Sequence, residues 1–343
     1  MADRLLENAR TVLEASCRAR SGESILVIVT SEAMLERTPA LVAAALDLGL
    51  VPAAIDIRAF IASPAYNTGC ILNPLKAAIK SADIVINNIE HVHNAKRPDY
   101  SRLLGEPDAH DLSMTAERRW VYLQCGGMEK WNITKEAVRG IADRTHWLLD
   151  QLQCAKQGRI TSPSGTDLTF GLGPTSSRTP ILGIVPLYGE VAVAPAPQST
   201  SGVFVVDGPT QLYVRPANET DRVPLRITVE RGQVVDMQGD PTQLERLKKF
   251  IASGDPPANS IDEVGILTTP FQENDWFDWP DGTHHHDCVH VALGNNTRRG
   301  EVVHGPRHMD GEIRKPTISI DGLVIIENGV FLDCAMMNRQ RCL

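Results

Sequence analysis

Near residue 155 the texture of this chain changes, and that change limits the folds open to it. Up to that point apolar runs of strand length, 25–30, 51–57, 84–87 and 120–124, alternate with helix-length stretches over about 38–48 and 134–153. Such alternation predicts an α/β domain with a mostly parallel sheet covered by helices. Leu5, Ala9, Val12, Leu13 and Cys17 repeat at three and four residues, which predicts a leading helix with one buried face. After residue 155 the apolar runs shorten, as in 202–207, 225–229 and 318–326, and Gly, Pro and Asn separate them. The stretch 243–252 is the one convincing helix there. This punctuation predicts a mainly antiparallel β (α+β) domain.

The balance of residue types excludes several function classes. Hydrophobic residues at 42% and charged residues at 22% of 343 are ordinary globular values, enough for two cores. A net charge of −8, with no Lys/Arg-rich segment interleaved with aromatics, argues against a nucleic-acid partner. No apolar run approaches the roughly 20 residues of a membrane span. The first twenty residues mix charge with apolar positions at helical spacing, unlike a signal peptide, so a cytoplasmic location is expected. The seven cysteines are odd in number and lack Cys-x-x-Cys spacing, which argues against a disulfide framework or a structural zinc site.

The chemistry concentrates late in the chain, where six of the ten histidines lie between His284 and His308. His284-His285-His286 follows the turn-like Trp279-Pro280-Asp281-Gly282 and reads as solvated surface. His290 stands inside an apolar strand-like run, and His308-Met309-Asp310 places an imidazole and a carboxylate on one strand face. Imidazole with a neighbouring carboxylate suits a divalent metal. Glu190 and Glu263 each interrupt an apolar run. Desolvating a lone carboxylate costs several kcal/mol, which a cation would offset; the other reading is that each points outward from an amphipathic strand. Cys288 is a further neighbour of the cluster, read as core or bystander before ligand. His91 and His93 read as a polar strand end, Gly126-Gly127 as a turn, and the aromatic run from Asp275 to Trp279 as packing or a substrate wall.

Gly189-Glu190-Val191 with Pro195, Glu263-Val264-Gly265, His290-Val291-Ala292-Leu293-Gly294 and His308-Met309-Asp310, in that order, resemble the motifs of the aminopeptidase T and aminopeptidase S family of dinuclear metallopeptidases. Residues 164–170 look like that family's opening catalytic hairpin, and the likeness covers most of 155–343. The change of texture places the boundary between a Rossmann-like α/β domain over 1–156 and a β-rich catalytic metal-binding domain over 157–343, and the resemblance implies a homodimer. Glu190, Glu263, His290, His308 and Asp310 would then hold two divalent ions, Zn, Mn or Co, with Glu263 or Glu190 moving the proton in hydrolysis of a small molecule or short peptide. The family's tyrosine, a few residues after the His290 motif, is missing: the chain reads Asn295-Asn296-Thr297-Arg298-Arg299 there, and its last tyrosine is Tyr213. Asn296, Arg298 or His304 would stand in as the donor, and some other small amide or C–N bond becomes a target beside peptides. The chain is also similar to 2,5-dihydroxypyridine 5,6-dioxygenases, which carry one Fe(II) on two histidines and an aspartate. His308 and Asp310 match two of those positions, but Glu263 stands where the third ligand would be histidine. A binding protein that kept only the fold is the remaining reading.

Overall fold

The computed structural model describes residues 2–68, 70–88, 119–123, 128, 134–182, 189–208, 223–252, 258–269, 289–294 and 308–332. These form two compact units, one of the described residues up to Gly140, the other of those from Ile141 onward except Leu182.

The first unit is built on a parallel sheet in the order β2-β1-β3-β4, from β1 (Ser24–Val29), β2 (Val51–Asp56), β3 (Ile84–Asn88) and β4 (Arg119–Leu123). Ile25 to Val29 of the inner strand β1 are almost wholly buried, which is why this stretch reads as a continuous apolar run and does not alternate. The leading helix α1 (Ala2–Thr11) runs on into a π-helical turn, Val12–Ser16. Ala9, Val12, Leu13 and Cys17 are buried, as their spacing predicts, and Leu5 is half-buried. Helix α2 (Glu32–Asp47) starts well before residue 38, a correction to the sequence reading. Ser31 is extended and its hydroxyl accepts the Met34 N–H, so the cap decides the start and Pro39 lies inside the helix. Two single turns, α3 (Arg58–Ile61) and α4 (Pro64–Asn67), and the helix α5 (Asn73–Ser81) lead to β3.

Helix α6 (Lys135–Cys154) crosses from one unit to the other. Leu148 and Leu152, in its second half, are buried in the core of the second unit. That unit contains an eight-stranded sheet in the order β11-β10-β9-β6-β5-β15-β16-β17. Its strands are β5 (Gln157–Thr161), β6 (Asp167–Gly171), β9 (Ser201–Val206), β10 (Leu225–Glu230), β11 (Gln233–Gln238), β15 (Thr317–Ile320), β16 (Leu323–Glu327) and β17 (Val330–Phe331). The run 318–326, read as one stretch in the sequence, is a hairpin, turning at Asp321 and Gly322, both at positive φ as an Asp-Gly turn requires.

A second sheet has the order β14-β13-β12-β8-β7, from β7 (Arg178–Leu182), β8 (Gly189–Val193), β12 (Ile261–Leu267), β13 (Val289–Gly294) and β14 (His308–Glu312). Phe204, Val206, Leu225 and Ile227 of the larger sheet share one apolar core with Val191, Val264, Val291, Leu293 and Met309 of the smaller. Leu247 of α7 (Pro241–Ala252) also belongs to it. The N-terminal parallel sheet and C-terminal antiparallel sheets match the fold class predicted. Among the described residues no helix is long and apolar enough to cross a membrane.

Candidate metal centre

The site lies on one face of the five-stranded sheet, and its strands show why. Each alternates apolar with polar or small residues: Gly-Glu-Val-Ala-Val in β8, Val-His-Val-Ala-Leu-Gly in β13, His-Met-Asp-Gly-Glu in β14. In an antiparallel sheet, residues opposite one another share a face. Gly265 of β12 stands opposite His290 and Ala192, Leu267 opposite Glu190, and Glu263 opposite Ala292. Ala292 in turn stands opposite Asp310, and His290 opposite Glu312. One face therefore carries Glu190, Glu263, His290, Asp310 and Glu312, with Ala192, Gly265 and Ala292 between them. The other carries Val191, Val193, Val264, Ile266, Val291, Leu293 and Met309, which form the core.

A register shift in β12 keeps both faces correctly filled. Ile261 stands opposite Leu293 on the core side, yet Glu263, two residues on, stands opposite Ala292 on the site side. In a regular strand the two would share a face, so the extra residue, Asp262, forms a bulge that lets Ile261 enter the core while Glu263 faces the site.

The register brings the charged groups close together. His290 Nε2 lies 3.6 Å from Glu190 Oε1, 3.6 Å from Glu263 Oε1 and 3.8 Å from Asp310 Oδ1. One ligand atom from each of Glu190, Glu263 and His290 falls within 4.8 Å of the others. Glu190 is 2% exposed, Glu263 1% and His290 6%. Two ligands at about 2.1 Å from a common tetrahedral ion lie roughly 3.4 Å apart, so these separations suit a shared cation. A Cβ added to Gly265 would lie 2.1 Å from His290 Cε1 and Nε2 and 2.7 Å from Glu190 Oε1, so the missing side chain is the space these groups occupy. The donor set and the room at Gly265 fit a divalent metal.

The electrostatics agree. Burial, the largest single influence, opposes a charge on His290, but Asp310, Glu190 and Glu263 together outweigh it and raise the pKa from 6.5 to about 10. In the metal-free protein a proton on the imidazole thus offsets the carboxylates, and a metal must displace it. Because the folded-state pKa is raised, the resulting stabilisation is fully present below pH 6.5 and is lost as pH rises through about 10. Melting of chelator-treated protein should therefore fall in temperature across that window, and added divalent metal should remove the fall. A melting temperature that does not respond to metal at alkaline pH would count against the centre.

The structure brings together four of the five residues predicted as ligands, Glu190, Glu263, His290 and Asp310. The fifth, His308, opens β14 two residues before Asp310 and stands opposite Gly294. The possibility that the two glutamates point outward to solvent is corrected: their face is polar, but it is buried. Glu312 and Asp262, each 1% exposed, were not singled out by sequence reasoning. The period-two pattern His-x-Asp-x-Glu was a signal for the first; Asp262 had none, since only the bulge distinguishes it. His284, His285, His286, Cys288, His91, His93, Gly126, Gly127, Asn296, Arg298, His304 and the run from Asp275 to Trp279 lie outside the described residues. Cys17 is buried, and that burial pushes its thiol up to about 12, so it supplies no thiolate nucleophile.

Fold and site together define a two-unit α/β and β protein with a buried carboxylate–imidazole cluster of metal-binding character. Residues 132–333, more than half of the chain, match the family model of NicX, 2,5-dihydroxypyridine 5,6-dioxygenase, and the chain belongs to that family. Comparison with curated proteins gives no match. Among solved structures, the chain is similar to the 2,5-dihydroxypyridine dioxygenase from Pseudomonas putida KT2440, with a TM-score of 0.64 at 16% identity over 97% of this chain and 98% of that one. It is also similar to wild-type AmpT from Thermus thermophilus, with a TM-score of 0.65 at 14% identity over 96% of this chain and 99% of that one. At such identities the likeness shows the fold alone.

Proposed function

We propose that this protein is a metal-dependent hydrolase that cleaves an amide or another carbon–nitrogen bond of a small substrate. The observation that carries the reading is the set of three carboxylates, Glu190, Glu263 and Asp310, gathered within 3.6–3.8 Å of one imidazole nitrogen. A ferrous centre on two histidines and one carboxylate keeps a net charge of about +1. Three carboxylates around a single divalent ion leave about −1 in a buried site, where uncompensated charge is costly. Two divalent ions restore about +1, which suits an anionic nucleophile, and zinc, manganese and cobalt accept this donor set.

Glu190, Glu263, His290, His308 and Asp310 are the residues assigned to hold the ions. When bound, such ions supply Lewis acidity toward a carbonyl and make water more acidic near neutral pH. His290 presents Nε2 to the carboxylates, and the burial of this face limits competing solvent. Glu263 or Glu190, whichever keeps an oxygen uncommitted, takes the proton from the attacking water and passes it to the leaving amine. A small molecule or short peptide is the substrate of this reading, and the working form is a homodimer in the cytoplasm.

The match to the NicX model favours a second reading, oxygen-dependent ring cleavage of a dihydroxypyridine-like aromatic at a single Fe(II). Glu263, standing where that centre would take a histidine, weighs against it. Metal content of anaerobically purified protein separates the two. About two zinc, manganese or cobalt ions per chain, falling in Glu263→Gln, are expected. One iron per chain, little changed in the variant, would replace the hydrolase by the dioxygenase.

A further inference from the structure

Glu190 occupies the last register pair of the β8–β12 ladder, opposite Leu267. Element ends open at little free-energy cost, yet a metal ligand must be held to within about 0.5 Å. His290 pairs with Gly265 and, at the end of its ladder with β14, with Glu312. Beyond the last register pair of the β8–β12 ladder the hydrogen bonding continues at Gly189, immediately before Glu190.

Three threonines close around Gly189. The Gly189 N–H donates to Thr269 Oγ1 at 3.1 Å, and its carbonyl accepts the Thr268 N–H at 2.8 Å. A Cβ on Gly189 would lie 2.2 Å from Ile141 Cγ2, 2.5 Å from Thr268 Oγ1 and 3.0 Å from Thr145 Oγ1, so α6 and the end of β12 press directly on its Cα. Thr145 Oγ1 donates to Ile141 O at 2.8 Å, one turn back in α6. A hydroxyl has a single proton, so in the 2.5 Å contact between Thr145 and Thr268 it is Thr268 that donates. Both of these side chains are fully buried and Thr269 is 5% exposed, so each hydrogen bond is made away from water. The chain of bonds ties the helix, through Thr145 and Thr268, to the backbone that carries Glu190.

We propose that Thr145, Thr268 and Thr269 are positioning residues that hold Glu190 in its metal-binding geometry, an inference that rests on reading Glu190 as a ligand. Hydroxyl-bearing side chains are required here and generic packing is not enough, because valine has the shape of threonine but neither accepts the Gly189 amide nor completes the Thr268–Thr145 bond.

The test is zinc affinity, measured by competition with a chromophoric chelator, alongside denaturant midpoints. It compares wild type, Thr268→Val, Thr269→Val, Thr268→Ser, Thr269→Ser and, as a destabilised control, Leu247→Ala in α7. The valine variants are expected to bind zinc about 10- to 100-fold more weakly, as for other residues that orient metal ligands, while the serine variants keep wild-type affinity. If Thr268→Val does not fold, Thr269→Val carries the test, since it removes the acceptor of one amide only. Valine variants that bind zinc as wild type does, or whose loss is matched by Leu247→Ala at equal loss of stability, would overturn the positioning role alone. Wild-type protein that binds neither zinc nor, in the same competition, manganese or cobalt would overturn the metal centre and this inference together.

Discussion

His290→Ala protein is expected to take up no divalent metal and, with metal removed, to be less stable than wild type by roughly 3–5 kcal/mol, the usual cost of leaving one side of a buried ion cluster uncompensated. The stability loss follows from the charge arrangement. In the metal-free protein the protonated imidazole is the cation that Glu190, Glu263 and Asp310 surround. Alanine leaves three carboxylates facing one another, two of them, Glu190 and Glu263, almost closed to water. Glu263→Gln should differ in sign: it lowers metal uptake, but in the metal-free state it relieves repulsion and leaves stability equal to wild type or higher. Plasma mass spectrometry and urea unfolding of the chelator-treated proteins measure both quantities. A folded His290→Ala protein with full metal content would remove His290 from the centre, and a large destabilisation by Glu263→Gln would show that the cluster is not short of positive charge.

Gly265→Ala is expected to abolish metal binding as completely as loss of a ligand, although it removes no donor. The added methyl would fall 2.1 Å from two atoms of the His290 ring and 2.7 Å from Glu190 Oε1, so the ring must move away from the carboxylates. Overpacking of this kind costs about 1–3 kcal/mol in stability. Gly140→Ala is the control, since a Cβ there meets nothing within 4 Å and the residue lies in α6; it should be neutral or stabilising by up to about 1 kcal/mol. Isothermal titration with zinc and thermal melting of both variants give the comparison. Normal zinc affinity in Gly265→Ala would mean that the imidazole is free to rearrange and that the tight packing over Gly265 does not define the site.

The parts of the fold that were legible in the sequence share a cause. Apolar runs of strand length, helical spacing and turn residues are local signals, and they located the parallel sheet and the later antiparallel strands. Errors arose where one local signal outranked another. At α2 the Ser31 cap set the start and the more conspicuous Pro39 was accommodated inside, with the Thr38 hydroxyl donating to Met34 O at 2.8 Å in the turn before it. At β15 and β16, a long apolar run concealed an Asp-Gly turn. Helix α6 spans both compact units, and its later turns bury Leu148 and Leu152 in the second core.

The sequence by itself determined which residue types were present to bind a cation and that each would stand on an alternating strand: Glu190, Glu263, His290 and the pair His308 and Asp310. Alternation is a local property, since successive side chains leave a strand on opposite faces. Only the tertiary structure decided that these faces coincide. The order β14-β13-β12-β8 makes distant segments neighbours, their registers align the polar positions, and the bulge at Asp262 corrects the parity of Glu263. The space at Gly265 and the threonines around Gly189 are likewise consequences of long-range packing, because a residue's need for no side chain, or for a hydroxyl, depends on atoms that the chain brings to it from far along its length.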